Sequence, residues 1–304
     1  MIVTVTLNPS VDYVVRLDSL HVGSLNRTND ASYFAGGKGI NVSQVLHELQ
    51  VDSAATGFIG GFSGGFIKQS LAVKGIKANF VEVDEPTRVN IKLKTGEETE
   101  INAAGPTIST AHLTSLLKQL EQYGEGDVLV LAGSIPSSVP STLYGTLAEN
   151  AAARGMKVVI DAEKSLLEPA LSNPLYLIKP NHHELGEYFG VEIDTVEEAI
   201  IYGKKLLNYD IQHIMVSMAE KGAVLLTKEE TLQAQVPKGT VRNSVGAGDS
   251  SVAGFLAGRT KGYSLEESFR LSVATGSATA FSEGLATSEE VELLKPHVRI
   301  QKLV

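Results

Sequence analysis

The sequence predicts an α/β protein built on a doubly wound, mainly parallel sheet flanked by helices. Short β-branched runs alternate with longer segments of helical period: Val128-Leu129-Val130-Leu131, Val158-Val159-Ile160, Leu175-Tyr176-Leu177-Ile178, Ile214-Met215-Val216 and Val224-Leu225-Leu226. The first three are separated by enough chain for the crossover helices that parallel strands require. In such a sheet, ligands gather at the carboxyl ends of the strands.

Taken in order, residues 1–9 read as a first strand, with no basic stretch before an apolar run far too short to cross a bilayer. Residues 11–31 and 87–105 are rich in Val, Thr, Ile and Asn with strand-like periodicity, and no convincing helix follows either at once. They are expected to form a small β lid over the site. Leu113, Leu116, Leu117 and Leu120 then mark one apolar helix face behind a cap region at Ser109 and Thr110. Thr195 with Glu198, and Ser264 with Glu267, have capping-box spacing and read as helix starts. With no Pro-rich or Ser-rich linker, low-complexity tract or internal repeat, residues 1–304 are expected to form one domain.

Composition excludes several chemistries. The 304 residues contain no cysteine, which removes thiolate catalysis, Cys-based zinc sites and disulfides and fits a reducing compartment, here expected to be the cytoplasm. The net charge of −9 opposes nucleic-acid binding, and neither a nucleic-acid nor a membrane partner is expected. An anionic ligand must therefore meet a local basic cluster. The Asn-x-Ser/Thr matches at Asn26 and Asn41 are read as chance.

Two glycine clusters have chemical potential. In Gly246-Ala247-Gly248-Asp249, followed by Val252, Phe255 and Leu256 at helical spacing, a glycine loop runs into a helix. Unpaired first-turn amides and the helix dipole favour a phosphate there, and Asp249 in that turn is a carboxylate able to accept a proton. The same residues also read as a plain turn and cap. In Gly36-Gly37-Lys38-Gly39-Ile40-Asn41, glycines admit a ligand to the main chain and Asn41 offers a donor and an acceptor to sugar hydroxyls; a helix-entry turn with an exposed lysine is the alternative. Neither the Walker pattern nor a full G-x-G-x-x-G fingerprint is present.

Thr6-Leu7-Asn8-Pro9 with Asp12, Gly36-Gly37-Lys38-Gly39-x-Asn41, Lys179-Pro180-Asn181-x-x-Glu184 and Gly246-Ala247-Gly248-Asp249 resemble, in order, the signatures of the ribokinase-like (PfkB) carbohydrate kinases, phosphosugar branch. The resemblance covers nearly the whole chain and implies ATP and Mg2+ as cofactors. It implies Asp249 as base, with the amides of Gly246, Ala247 and Gly248 stabilising the transferring phosphoryl group. It implies Asp12, Gly37, Asn41 and Ser134 at the sugar. Asn181 and Glu184 would place magnesium and its waters, with Lys179 just upstream. Asn181 and Glu184 also read as an ordinary capping box. Ser217-Met218-Ala219-Glu220-Lys221-Gly222 resembles the family's nucleotide loop, with Ala219 where the family has glycine, which alters the loop if that position needs positive φ. Ser277, in Thr275-Gly276-Ser277-Ala278, lies in the segment implied to wall the adenine, although a buried small-residue helix contact reads equally well. His182 and His183 do not make a metal motif.

A phosphosugar acceptor needs cations. Arg27, Lys38, Arg88 and Lys92 are the candidates, and strand alternation puts Arg88, Asn90 and Lys92 on one face. The resemblance implies phosphorylation of fructose 1-phosphate at its 6-hydroxyl, with tagatose 6-phosphate and then fructose 6-phosphate as alternative acceptors. A non-catalytic sugar-phosphate sensor and a nicotinamide-dependent oxidoreductase are rivals from other classes. Exposed lid strands pairing edge to edge would give a homodimer.

Overall fold

The computed structural model describes residues 1–96 and 98–303. The chain begins β1 (Ile2–Thr6), β2 (Ser10–Arg16), β3 (Asp30–Gly36), α1 (Lys38–Glu48), β4 (Ser53–Ile59), α2 (Gly61–Val73), β5 (Lys77–Ala78), β6 (Val81–Glu82), β7 (Arg88–Lys94) and β8 (Glu98–Ile101). It continues α3 (Thr110–Leu120), β9 (Val128–Ala132), α4 (Leu143–Ala152), β10 (Lys157–Asp161), α5 (Lys164–Leu167), β11 (Leu175–Ile178), α6 (His182–Phe189), α7 (Val196–Leu206) and β12 (Ile211–Ser217). The last elements are β13 (Ala223–Leu226), β14 (Thr231–Gln235), α8 (Ala247–Thr260), α9 (Leu265–Phe281), α10 (Ser288–Leu294) and β15 (Arg299–Leu303).

The main sheet has the order β15-β14-β13-β12-β11-β10-β9-β1-β4-β5, with β6 also on β4. From β12 to β5 the neighbours are parallel, whereas β13, β14 and β15 form an antiparallel edge. Alternation splits the strand side chains between two helical layers. Leu129 and Leu131 join Leu116 of α3, Leu147 of α4 and Leu206 of α7 on one face, while Val130 joins Leu46 of α1, Phe255 of α8 and Phe269 of α9 on the other. The sheet is thus doubly wound, as the alternating pattern predicts.

The helix starts form for local reasons. Ser109 and Thr195 each cap a helix in a reciprocal box, with His112 and Glu198 respectively. Ser264 caps α9 through the Glu267 amide, but the Glu267 carboxylate turns to Arg270 at 2.9 Å. Only half of the expected box is made there.

A second sheet, β3-β2-β7-β8, stands apart from the first. Segments 11–31 and 87–105 supply most of β2, all of β7 and β8, and the first two residues of β3, which continues to Gly36. β2 runs parallel to β7 with Ser10 opposite Arg88 and Asp12 opposite Asn90. Behind it, Ile67 and Leu71 of α2 pack with Val11 and Ala35. Among the described residues, no helix is long and apolar enough to cross a membrane.

Chain order reverses at β1, which lies between β4 and β9. That reversal opens a crevice at the carboxyl ends of the strands.

Candidate active site

Each strand around the crevice delivers a polar group to its carboxyl end. Asn8 follows β1 and Ser134 follows β9, and the Asn8 amide reaches the Ser134 hydroxyl at 3.5 Å. Asp161 is the last residue of β10, Lys179 follows β11, and Asn181 pairs with Ser217 at the end of β12. The antiparallel edge lies beyond β12.

Two glycine-led helices point into this space. Gly246 is the N-cap of α8 with φ 81°, a left-handed conformation that suits glycine, and no side chain caps the helix. The Ala247 amide donates to the Ser244 carbonyl at 3.3 Å, a long bond, and no side chain occupies the helix start, which leaves it accessible to an anion. A Cβ on Gly248 would lie 3.1 Å from Lys179 Nζ, so glycine lets that ammonium reach the helix start. α1 begins at Lys38 after Gly37, and its Asn41 donates Nδ2 to Asp249 Oδ2 at 2.8 Å. The two starts thus meet at one carboxylate.

Asp249 is 4% exposed. Burial pushes its pKa up to about 6, and the Asp161 carboxylate adds to the rise, while Lys38, the Asn41 hydrogen bond and Lys179 pull it down. A carboxyl in that range is ionised at neutral pH and still basic enough to take a proton. Asp161, 1% exposed, receives Lys38 Nζ at 3.2 Å and Lys179 Nζ at 3.4 Å, both on Oδ1. Burial opposes its ionisation, but the two lysines hold it below the usual carboxylate range; Asp161 in turn raises Lys38.

On the sheet side, Asp12 Oδ1 accepts from Ser10 Oγ at 2.8 Å and from Asn90 Nδ2 at 3.1 Å. Arg88 is oriented by three carbonyls, Asn8 at 3.0 Å, Ala103 at 3.3 Å and Pro9 at 3.4 Å. A cleft of about 350 Å3 lies between this sheet and the main body, lined by Asp12 and Lys92 on one side and Asn41 and Leu285 on the other.

The remaining expected residues divide. Lys92 lines the cleft but is ion-paired with Glu100 at 3.0 Å, so it is not a free cation. Arg27 is exposed in the loop between β2 and β3 and does not line the cleft within this chain. Asn181 and Glu184 form a full capping box, Glu184 Oε2 accepting the Asn181 amide at 2.8 Å. In the segment 217–222, the Met218 side chain is buried in the core, so only its backbone could meet a ligand. Ala219 has φ 50°, so the position does need the conformation that glycine provides, whereas Glu220 and Lys221 are exposed. Lys221 reaches the Asp194 carbonyl at 2.7 Å, and Gly222 closes the turn to Met218. Around Ser277, the small residues serve helix packing: a Cβ on Gly276 would meet Ser251 Oγ at 2.2 Å. The His182 and His183 rings lie against each other with centroids 3.9 Å apart and planes tilted by 37°.

The pfkB family carbohydrate kinase model matches residues 5–292. The chain belongs to the pfkB family of carbohydrate kinases. It is 52% identical to a 1-phosphofructokinase of Bacillus subtilis and 38% identical to a D-tagatose-1-phosphate kinase of Bacillus licheniformis, with 100% of each chain covered in both comparisons. The crystal structure of Escherichia coli phosphofructokinase-2 in complex with substrates and products superimposes with a TM-score of 0.92 at 26% identity, covering 97% of this chain and 98% of that one. A pfkB kinase is a phosphotransferase acting on a hydroxyl, which fits a buried carboxyl beside an open helix start.

Sequence reasoning missed several charged groups that lie at the strand ends or line the cleft. Asp161 carried a usable signal, since it ends a strand where ligands gather. Lys94 also lines the cleft and shares the strand face of Lys92 by simple alternation. Lys74 and Arg16 reach the cleft from α2 and β2, and no motif marks them.

Proposed function

We propose that this kinase transfers the γ-phosphoryl group of ATP to the 6-hydroxyl of fructose 1-phosphate, giving fructose 1,6-bisphosphate and ADP. Asp249 takes the hydroxyl proton as the new O–P bond forms and the bond from Pγ to the departing ADP oxygen breaks. The amides of Gly246, Ala247 and Gly248 carry the charge on the transferring group. The observation that carries this reading is the Asp249 carboxyl itself, buried at an uncapped helix start and hydrogen-bonded by Asn41 of the other glycine cluster.

Asp12 and Asn41 are the sugar-hydroxyl partners, with Gly37 and Ser134 beside them. The acceptor phosphate falls to Arg88, whose fixed guanidinium suits a dianion. Lys38, expected from the sequence at the acceptor phosphate, is assigned instead to the transferring group, because it pairs with Asp161 beside Asp249. Asn90 buttresses Asp12 rather than the phosphate. The names of the two curated relatives support a phosphate on carbon 1.

Lys179 and the 217–222 loop serve ATP, with Ser277 behind the adenine. Among the described residues no three acidic or His groups assemble into a metal cage. That fits magnesium, which keeps several waters and leans on substrate phosphates. Glu184, with Oε2 spent on the cap, and Asn181 would hold those waters, and the ion would neutralise the phosphates. A lid formed by residues 11–31 and 87–105, a single domain over residues 1–304, a homodimer through the exposed edges of the second sheet and a cytoplasmic place of action complete the reading.

Side-by-side kinetics with fructose 1-phosphate, tagatose 1-phosphate, tagatose 6-phosphate, fructose 6-phosphate and fructose test the acceptor. Fructose 1-phosphate should have the highest kcat/KM. A higher value for any other sugar overturns the assignment.

A further inference from the structure

The pairing of Lys38 and Lys179 on a single buried oxygen of Asp161 has a bearing on the base. The three residues come from α1, the end of β10 and the segment after β11, and Asp161 is the only one that touches both others. Its second oxygen, Oδ2, is buried with no hydrogen-bond partner, so the carboxylate spends its whole capacity on the two ammoniums through Oδ1. Among the described residues Asp249 has no ion pair, although Lys179 Nζ lies 3.1 Å from the place of a Cβ on the adjacent Gly248. Two cations therefore stand beside the base without neutralising it.

We propose that Asp161 is a positioning residue: it clamps Lys38 and Lys179 on the phosphate side of the crevice and so keeps the Asp249 carboxylate free to accept the hydroxyl proton. Without the clamp, either ammonium is released toward Asp249, the next carboxylate to act on Lys38 and the neighbour of Gly248, which Lys179 already approaches. An ion pair there would weaken the base and remove a cation from the transferring phosphate in one step. The groups that face Asp249 are Asp161 from β10, Lys38 and Asn41 from α1 and Lys179 after β11. Asp161 alone among them raises its pKa. This role rests on Asp249 being the base, which Asp249→Asn tests separately.

The experiment follows the Asp249 carboxyl by 13C NMR titration in the resting protein, for the parent and for Asp161→Asn, alongside kcat and both KM values. The resting-state titration reads the clamp whether or not Asp249 is the base. In Asp161→Asn, the Asp249 carboxyl should titrate lower by roughly half a pH unit or more. The acid limb of kcat/KM should shift with it, and kcat should fall at least about tenfold. Asp161→Glu, which keeps the charge, should leave the titration near the parent. If Asp161→Asn does not fold, the Asp161→Asn/Lys179→Met double variant balances the lost charge. It should show a smaller downward shift, because loss of Lys179 offsets part of the effect but Asp161 outweighs Lys179 at Asp249. An unchanged Asp249 titration in the variant that folds overturns the proposal, and so does a kcat loss rescued by raising Mg2+ alone.

Discussion

Asn41 Nδ2 lies 2.8 Å from Asp249 Oδ2, joining two glycine-led helix starts that are 208 residues apart in the chain. The bond does two things. It fixes the carboxyl, and by stabilising the charged form it keeps the Asp249 pKa from rising further in its buried setting.

The pH dependence of activity follows. In the proposed role Asp249 works as the ionised form, and its pKa of about 6 means that protonation would remove the base as pH falls through that value. The kcat/KM profile for the sugar phosphate should therefore have an acid limb near pH 6, falling about tenfold per unit below it. In Asn41→Leu the donor is lost, so the limb should move to higher pH. A limb that stays in place, measured in both proteins at constant ionic strength, contradicts the coupling.

Arg88→Ala should act on the acceptor and not on ATP. Removing a charge-assisted contact with a phosphate costs about 1.5–3 kcal/mol, equivalent to roughly ten- to hundredfold in sugar-phosphate KM. The KM for ATP should change little. Initial-rate kinetics with each substrate varied in turn separate the two, and an unchanged sugar-phosphate KM removes Arg88 from the phosphate site.

Ala219 is held at φ 50°, a conformation that costs a non-glycine residue roughly 1–2 kcal/mol. Ala219→Gly should raise the urea midpoint, by about 1 kcal/mol in unfolding free energy after the added flexibility of the unfolded chain is subtracted. Gly222→Ala should do the reverse, since a Cβ there would lie 2.0 Å from the Ala234 carbonyl oxygen. Equilibrium urea unfolding of the three proteins is the check.

What was legible in the sequence is what local chemistry encodes. The turn at Gly246, the helix carrying Val252 and Phe255, and the carboxyl of Asp249 in its first turn are written within a dozen residues, because a helix start is a local feature. Alternation likewise put Arg88, Asn90 and Lys92 on one face. Pairings that depend on register or on distant strands were not legible. Lys92 is neutralised by Glu100 only because β7 folds antiparallel to β8 in that alignment. Asp161 meets Lys38 across 123 residues, so a lone carboxylate ending an apolar run showed nothing of its two lysines. β3 was cut short at residue 31 because Ser32 to Gly36 blend into the glycine cluster.

The central claim, that Asp249 is the base of a sugar-phosphate kinase, is tested most directly by kcat of Asp249→Asn with fructose 1-phosphate and saturating MgATP. Asparagine keeps the shape and the neighbours but cannot take the proton. The expected result is a fall of roughly 10²–10⁴-fold in kcat with ATP affinity nearly intact. A variant within tenfold of the parent would contradict the account.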